Sequence, residues 1–116
     1  MKIIAVVITY NRLELLKECI AAIKDQTRTA DEIVVINNSS TDGTGDWLKQ
    51  QQGIRIFTQP NRGGSWGFME GIKQAWKLSG NWIWVMDDDT IPYTDALQNL
   101  VNAVELAAQQ NDRFGF

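Results

Sequence analysis

The sequence predicts an α/β protein in which a parallel sheet is covered by helices. Short apolar runs rich in valine and isoleucine alternate with segments in which apolar residues recur every three or four positions. Polar residues directly follow each apolar run. Because strands and helices alternate along the chain, the strands are expected to be parallel and joined by right-handed crossovers.

The first half of the chain contains two predicted strand–helix units. Residues 2–9 (KIIAVVIT) are almost wholly apolar, which predicts a strand buried on both faces. A helix is predicted over 12–25, followed by a second buried strand over 32–37 (EIVVIN) and a short helix over 44–52. The apolar face of the first helix consists of Leu13, Leu16, Ile20 and Ile23.

The second half repeats this pattern. A third strand is predicted over 54–58, a helix over 65–78, a fourth strand over 82–87 and a final helix over 94–110. The buried face predicted for the third helix consists of Phe68, Ile72, Ala75 and Trp76. The buried face predicted for the final helix consists of Leu97, Leu100, Val101, Val104 and Ala108.

Length and composition narrow the classes of function. A length of 116 residues suits one domain, which we place over 1–116. The net charge of −3 argues against a protein that binds nucleic acid through phosphate charge. No apolar run approaches the length of a membrane span. Because the chain contains no histidine, imidazole bases and histidine-ligated zinc are excluded within it. Cys19 is the only cysteine, which favours a cytoplasmic location.

Polar segments follow all four predicted strands, and we expect them to meet at one edge of the sheet. In parallel sheets, ligands bind beyond the carboxyl ends of the strands, where the strand order reverses. The segments in question are 10–12, 37–43, 59–64 and 87–89.

Three consecutive carboxylates, Asp87, Asp88 and Asp89, follow the fourth predicted strand. If the backbone stays extended, Asp87 and Asp89 point to one side and Asp88 to the other. Two carboxylates on one side can share Mg²⁺ or Mn²⁺, because these ions prefer oxygen ligands. Asp88 could then accept a hydrogen bond from a ribose or sugar hydroxyl. The alternative is a solvated helix N-terminus, where acidic residues are also favoured.

The loop after the second strand carries two amides, Asn37 and Asn38, which helix capping does not readily explain. Capping does account for Thr41, Asp42 and Thr44 in the same loop. The sequence has neither a GxGxxG fingerprint after its first strand nor a GxxxxGK[ST] loop. These differences argue against a dinucleotide-binding domain and against a P-loop NTPase.

Two glycines, Gly67 and Gly71, lie within the predicted third helix, where each costs about 1 kcal/mol relative to alanine. Their presence indicates close approach of the backbone to a neighbour or a ligand. Cys19 lies among the apolar residues of the first helix, which favours an inert, half-buried thiol over a reactive one.

Four motifs taken together resemble the family 2 glycosyltransferases of GT-A fold. They are TYNR at 9–12, IVVINNSSTDGT at 33–44, PNRGG at 60–64 and DDD at 87–89. The motifs occur in the family's order and cover nearly the whole chain. The MDDD form, with GGSxGF upstream, looks most like the galactofuranosyl- and rhamnosyltransferase branches.

The resemblance implies a Rossmann-like, mostly parallel sheet with helices on both faces. It also implies transfer of a sugar, with inversion, from a UDP- or dTDP-sugar to a hydroxyl of a carbohydrate or glycolipid acceptor. Asn37 stands where many members carry an aspartate that contacts the nucleotide base. Because this residue is an amide here, the resemblance does not identify the base. The metal ligands implied are Asp87 and Asp89, with Mn²⁺ or Mg²⁺ as the cofactor. The implied nucleotide-sugar contacts are Thr9, Tyr10, Asn11, Arg12, Asn37, Asn38, Ser39, Asn61, Gly63, Gly64, Asp87 and Asp88.

The resemblance also implies that this chain is the N-terminal, donor-binding part of a longer domain. Residues 111–116 are typical of the start of a fifth strand that is cut short. The family's general base is a carboxylate from the C-terminal half, so we expect it beyond Phe116. We therefore expect these residues alone to be inactive. The resemblance does not decide whether the missing region associates with the inner face of a membrane.

Two other functions compete with this interpretation. A sugar nucleotidylyltransferase would carry a glycine-rich loop with arginine and lysine after the first strand, whereas this chain has Tyr10, Asn11 and Arg12. The second alternative is a non-catalytic module that binds nucleotides, or that uses its acidic edge to bind a protein partner.

Overall fold

The computed structural model describes residues 1–110, and the predicted fifth strand at 111–116 lies outside them. Four strands and four helices alternate within this part of the chain, as predicted. In chain order they are β1 (Ile3–Thr9), α1 (Leu13–Lys24), β2 (Glu32–Asn37), α2 (Thr44–Lys49), β3 (Arg55–Thr58), α3 (Gly64–Lys77), β4 (Trp82–Asp87) and α4 (Ala96–Gln109).

The four strands form one parallel sheet in the order β3-β2-β1-β4. The chain builds outward from β1 through β2 to β3, and then crosses back to place β4 on the other side of β1. The strand order therefore reverses between β1 and β4, where Ile8 lies opposite Asp87. This reversal creates the crevice in which α/β sheets bind their ligands.

Helices cover both faces of the sheet, which confirms the predicted fold class. All seven residues of β1 are buried, and successive side chains alternate between the two faces. On one face, Ala5 and Val7 pack with Leu16 of α1 and Leu48 of α2. On the other face, a second cluster contains Ile4, Val6, Ile8, Val34, Ile36 and Ala75 of α3.

The predicted buried face of α3 is partly wrong. Ile72 and Trp76 are exposed, whereas Gly67 and Gly71 are buried with Ala75. The reason is the short distance between α3 and β1. A Cβ atom added at Gly67 would lie 2.7 Å from Cγ2 of Ile8, and one added at Gly71 would clash with Val6. Glycine therefore forms the contact surface, and the large apolar residues are displaced from it.

The predicted buried face of α4 is also partly wrong. Within that face only Leu97 is buried, and Leu100 and Ala108 are exposed. The helix begins at Ala96 rather than Thr94, because the side-chain carbonyl of the buried Gln26 accepts a hydrogen bond from the Leu97 amide at 2.9 Å.

An apolar groove of about 450 Å³ separates much of α4 from the edge strand β4. Trp82 and Trp84 of β4 and Leu100 of α4 line this groove. Among the described residues, no helix combines the length and the apolar character that crossing a membrane requires.

We predict that Gly71→Ala lowers the free energy of unfolding. Alanine gains about 1 kcal/mol of helix propensity. Its methyl group, however, must displace the fully buried Val6, and overpacking of this kind typically costs about 1–3 kcal/mol. Urea unfolding followed by tryptophan fluorescence measures the difference.

Gly64→Ala is the matched control, because a Cβ at Gly64 meets no atom within 4 Å. We expect this variant to be as stable as the original protein or more stable. A Gly71→Ala protein with unchanged or increased stability would show that α3 can move away from β1 without cost.

Candidate functional site

The ends of β1 and β4 are joined at the strand-order reversal by a buried hydrogen bond. The Thr9 hydroxyl donates to Oδ2 of Asp88 at 3.0 Å, and both residues are almost completely buried. Thr9 is the last residue of β1, and Asp88 directly follows β4. Since neighbouring parallel strands end side by side, these distant residues meet at the carboxyl edge of the sheet.

The three consecutive aspartates differ in their surroundings. Asp87 is exposed at the end of β4, Asp88 is buried, and Asp89 is exposed. The backbone does not stay extended after Asp87, because the Thr90 amide donates to the Asp87 carbonyl in a turn. One nitrogen of Arg12, Nη1, lies 3.4 Å from Asp88 and 3.5 Å from Asp89. Contacts with other protein groups therefore restrain the carboxylates of Asp88 and Asp89.

Burial raises the pKa of the Asp88 carboxyl above its usual value, because a low-dielectric environment disfavours the charged form. The Thr9 hydroxyl, the Arg12 guanidinium and the Tyr10 amide act in the opposite direction and lower that pKa. A carboxylate that is buried beside donors and a cation is a common feature of functional sites.

Cys19 packs beneath the aspartates, with its Sγ 3.9 Å from the carbonyl oxygen of Asp87. Burial raises the pKa of the Cys19 thiol to about 12, and the charges of Asp88, Asp89 and Asp87 add to this shift. The thiol is therefore neutral at physiological pH. This agrees with the inert thiol predicted from the sequence, although Cys19 is fully buried rather than half-buried.

A cleft of about 220 Å³ opens beside these carboxylates. It contains many of the residues that the sequence predicted for a nucleotide-sugar site. Its lining consists of Ile8, Thr9, Tyr10, Arg12, Asn38, Asn61, Gly64, Asp87 and Asp88. Sequence reasoning missed Ile8, although its place next to Thr9 at the end of a strand could have indicated it.

The sequence model of glycosyl transferase family 2 matches residues 4–109 of this chain. This chain belongs to glycosyl transferase family 2.

Two relatives illustrate the similarity of this family 2 chain to named enzymes. It is 33% identical over 90 residues to galactofuranosyltransferase GlfT1 of Mycolicibacterium smegmatis, a match that covers 76% of this chain and 30% of the relative. It is 30% identical over 110 residues to glycosyltransferase GlyG of Streptococcus pneumoniae, covering 90% of this chain and 36% of the relative. The chain thus spans about a third of the length of these relatives.

Solved structures show that the GT-A fold predicted for this family 2 chain is correct. Residues 1–349 of S. aureus TarS in complex with UDP superimpose with a TM-score of 0.81 at 22% identity, over 93% of this chain and 33% of that TarS chain. Mannosyltransferase PcManGT of Pyrobaculum calidifontis, in complex with GDP-Man and Mn²⁺, gives a TM-score of 0.67 at 26% identity. That match covers 86% of this chain and 31% of the mannosyltransferase.

Other predicted site residues of this family 2 chain organise the loops behind the cleft. The buried Asn37 accepts a hydrogen bond from the Ser40 amide at 3.0 Å. Asn38 is also buried, and its side-chain oxygen accepts from Gln59 at 2.9 Å. The Ser39 hydroxyl donates to the Gln59 carbonyl at 2.7 Å. Of these three predicted contacts, only Asn38 lines the cleft.

Asn11 and Gly63 occupy turns at the border of the cleft. Asn11 has a φ of +49°, a region that asparagine tolerates better than most residues, and its side chain accepts from the Thr41 amide at 2.6 Å. Gly63 has a φ of +93°, and its amide donates to Asn61 at 3.1 Å. The guanidinium of Arg62 lies 5.7 Å from the ring centre of Trp66. These contacts shape the turn that carries Asn61 and Gly64 into the cleft.

Sequence reasoning treated Asp42 only as a cap of its own helix, but its carboxylate joins two helices. One oxygen accepts from the amide and hydroxyl of Thr44 in α2, at 3.2 and 2.5 Å. The other oxygen accepts from the Leu13 amide at the start of α1, at 3.1 Å. The bond from the Thr44 hydroxyl is the largest of the effects that lower the Asp42 pKa.

We predict that Thr9→Val destabilises the protein in a pH-dependent way. Near pH 7, loss of the hydroxyl leaves the buried Asp88 carboxylate one donor short, which typically costs about 1–3 kcal/mol. Without that donor the folded-state pKa of Asp88 rises further. The difference between the two proteins is therefore fully present above the folded-state pKa of the variant and decreases as pH falls through the folded-state pKa values of the two proteins, where Asp88 becomes protonated.

Urea unfolding across a pH series measures this effect. Thr58→Val is the control, because Thr58 is exposed at the end of β3. A Thr9→Val penalty that stays constant as Asp88 is protonated would show that the hydroxyl stabilises packing rather than charge.

We also predict that Asp42→Ala lowers the free energy of unfolding by about 1–2 kcal/mol, since it removes the caps of α1 and α2 together. Because the folded-state pKa of Asp42 is lowered, this contribution is present above pH 3.8 and is lost as pH falls through the folded-state pKa.

Asp95→Ala is the control, because Asp95 precedes α4 without a side-chain capping bond. Equal effects of the two substitutions in urea unfolding would contradict this role of Asp42.

Proposed function

We propose that this protein transfers a sugar, with inversion, from a nucleoside diphosphate sugar to an acceptor hydroxyl, and that the described residues hold the donor. The observation that carries this proposal is the meeting of Thr9, Arg12, Asp87 and Asp88 in one cleft at the strand-order reversal, where Asp89 also pairs with Arg12. Family membership supplies the reaction class, and the cleft supplies polar groups, the Arg12 guanidinium and carboxylates, which suit an anionic ligand that binds together with a cation.

The exposed carboxylates of Asp87 and Asp89 fit a divalent cation. They are hard oxygen ligands, which suit Mg²⁺ and Mn²⁺. Within residues 1–110, no group of three or more acidic or cysteine side chains is arranged to hold a metal, so water and the donor's phosphates would complete the coordination. The similar mannosyltransferase binds GDP-Man with Mn²⁺, which supports this assignment. When bound, such a cation supplies positive charge that stabilises the departing diphosphate.

The protein's own residues would orient the donor. Tyr10 is 45% exposed at the cleft, so its ring is accessible to the nucleoside, and Asn38 and Gly64 line the same cleft. Arg12 is half-exposed and reaches the acidic end of the cleft, where a diphosphate would lie. We propose UDP or dTDP as the nucleotide; the UDP complex of TarS, which has a similar fold, supports the choice of a pyrimidine, whereas the similar mannosyltransferase binds a guanosine nucleotide.

In the proposed reaction, the acceptor oxygen forms a bond to the anomeric carbon on the face opposite the diphosphate. The bond between that carbon and the phosphate oxygen breaks, and its electron pair stays on the diphosphate. The proton of the acceptor hydroxyl passes to a general base, which we do not assign to a described residue. The proposed acceptor is a carbohydrate or a glycolipid, and the proposed location is the cytoplasm or the inner face of its membrane.

Calorimetric titration of the intact chain with UDP, in the presence and absence of Mn²⁺, tests the proposal. We expect Mn²⁺ to strengthen UDP binding, and Asp89→Asn to reduce this strengthening by about tenfold or more, because a ligand of the cation is lost. dTDP and GDP, titrated in the same way, identify the preferred base.

Asp95→Asn is the control for a change of charge, because Asp95 precedes α4 and does not line the cleft. We expect this variant to bind UDP as the original chain does. If no nucleoside diphosphate binds in a way that depends on Mn²⁺, the proposed donor site is wrong.

A further inference from the structure

Arg12 holds two neighbouring aspartates through a single nitrogen atom. Nη1 lies 3.4 Å from Oδ1 of Asp88 and 3.5 Å from Oδ2 of Asp89. The side chain of Arg12 is 51% exposed and belongs to the residue that precedes α1. It can therefore leave the aspartates without disturbing the core.

The two aspartates depend on Arg12 to different degrees. Asp88 also accepts a hydrogen bond from the Thr9 hydroxyl at 3.0 Å, so it keeps this donor if Arg12 moves away. Asp89 is 55% exposed, and Arg12 is its ion-pair partner within the described residues. The contact between Arg12 and Asp89 is thus the part of this arrangement that a ligand can exchange.

A divalent cation and Arg12 compete for Asp89. Two positive groups a few ångströms apart repel each other, and an oxygen that coordinates the cation is less available to a guanidinium. A diphosphate offers Arg12 an alternative, because guanidinium groups bind phosphate oxygens in a forked geometry. Arg12 already lines the cleft in which the donor would lie.

We propose that Arg12 is an exchangeable counter-ion that couples the cation to the diphosphate. Without ligands it neutralises Asp89; when the donor binds, Arg12 moves to the diphosphate and releases Asp89 to the cation. Each ligand then strengthens the binding of the other, since coupling between two sites is reciprocal. This inference rests on the proposed function, from which it takes its two ligands.

Titration of the intact chain with Mn²⁺ alone, followed by the electron paramagnetic resonance signal of free Mn²⁺, tests the exchange. We expect Arg12→Gln to bind Mn²⁺ about two- to fivefold more tightly than the original chain, the size expected for loss of one exposed ion-pair competitor. Arg12→Lys retains a competing charge and should bind Mn²⁺ like the original chain. Arg55→Gln is the control, because Arg55 pairs with Glu32 at 3.1 Å at the opposite edge of the sheet.

A second titration, with UDP in the presence and absence of Mn²⁺, measures the coupling. In the original chain we expect each ligand to raise the affinity for the other, whereas in Arg12→Gln the ratio of the two UDP affinities should fall about two- to fivefold, because only direct contact between the cation and the diphosphate then couples the ligands. Circular dichroism confirms that the variants are folded.

The outcomes separate this inference from the proposed function. If Arg12→Gln binds Mn²⁺ no more tightly than the original chain, or neither binds it, the exchange is wrong. If UDP binds with Mn²⁺ but Arg12→Gln keeps the full coupling, the proposed donor site is supported and the proposed role of Arg12 is wrong. If UDP does not bind at all, the proposed donor site fails, and the coupling fails with it.

Discussion

The hydrogen bond between Thr9 and Asp88 is the interaction on which the arrangement of the site depends. Its two residues are 79 positions apart in the sequence, and the bond links the ends of β1 and β4 where the strand order reverses. This bond fixes Asp88 inside the protein, whereas the neighbouring carboxylates Asp87 and Asp89 are exposed and Asp87 lines the cleft. The position of the acidic cluster is therefore a property of the sheet and not of a mobile loop.

Burial of the charged Asp88 carboxylate lowers the stability of the fold, and the neighbouring groups limit this loss. The pKa of Asp88 is raised by burial and lowered again by the Thr9 hydroxyl and Arg12. Cys19, directly beneath, stays protonated and adds no further negative charge. A protein with no use for a buried carboxylate would gain by replacing it with an apolar residue. The position of Asp88 beside a polar cleft is consistent with a ligand that benefits from it.

The close contact between α3 and β1 connects the hydrophobic core to the cleft. Gly67 approaches both Ile8 and the side chain of Asn38, and each of these residues lines the cleft. The preceding turn carries Asn61 and Gly64 to the same place. A larger side chain at Gly67 would therefore displace the wall of the site as well as the core.

The sequence by itself determined the order of the elements, the bounds of β2 and β4, and the gathering of polar loops at one edge, because hydrophobic periodicity and the alternation of strands and helices are visible along the chain. Gly67 and Gly71 correctly predicted a close approach of α3 to a neighbour or ligand, but only the tertiary structure identified that neighbour as β1 and so decided which face of α3 is buried. It also decided that Asp42 caps α1 and that Arg12 joins Asp88 to Asp89. These contacts depend on distances between residues that are remote in the chain, and no local pattern encodes such distances.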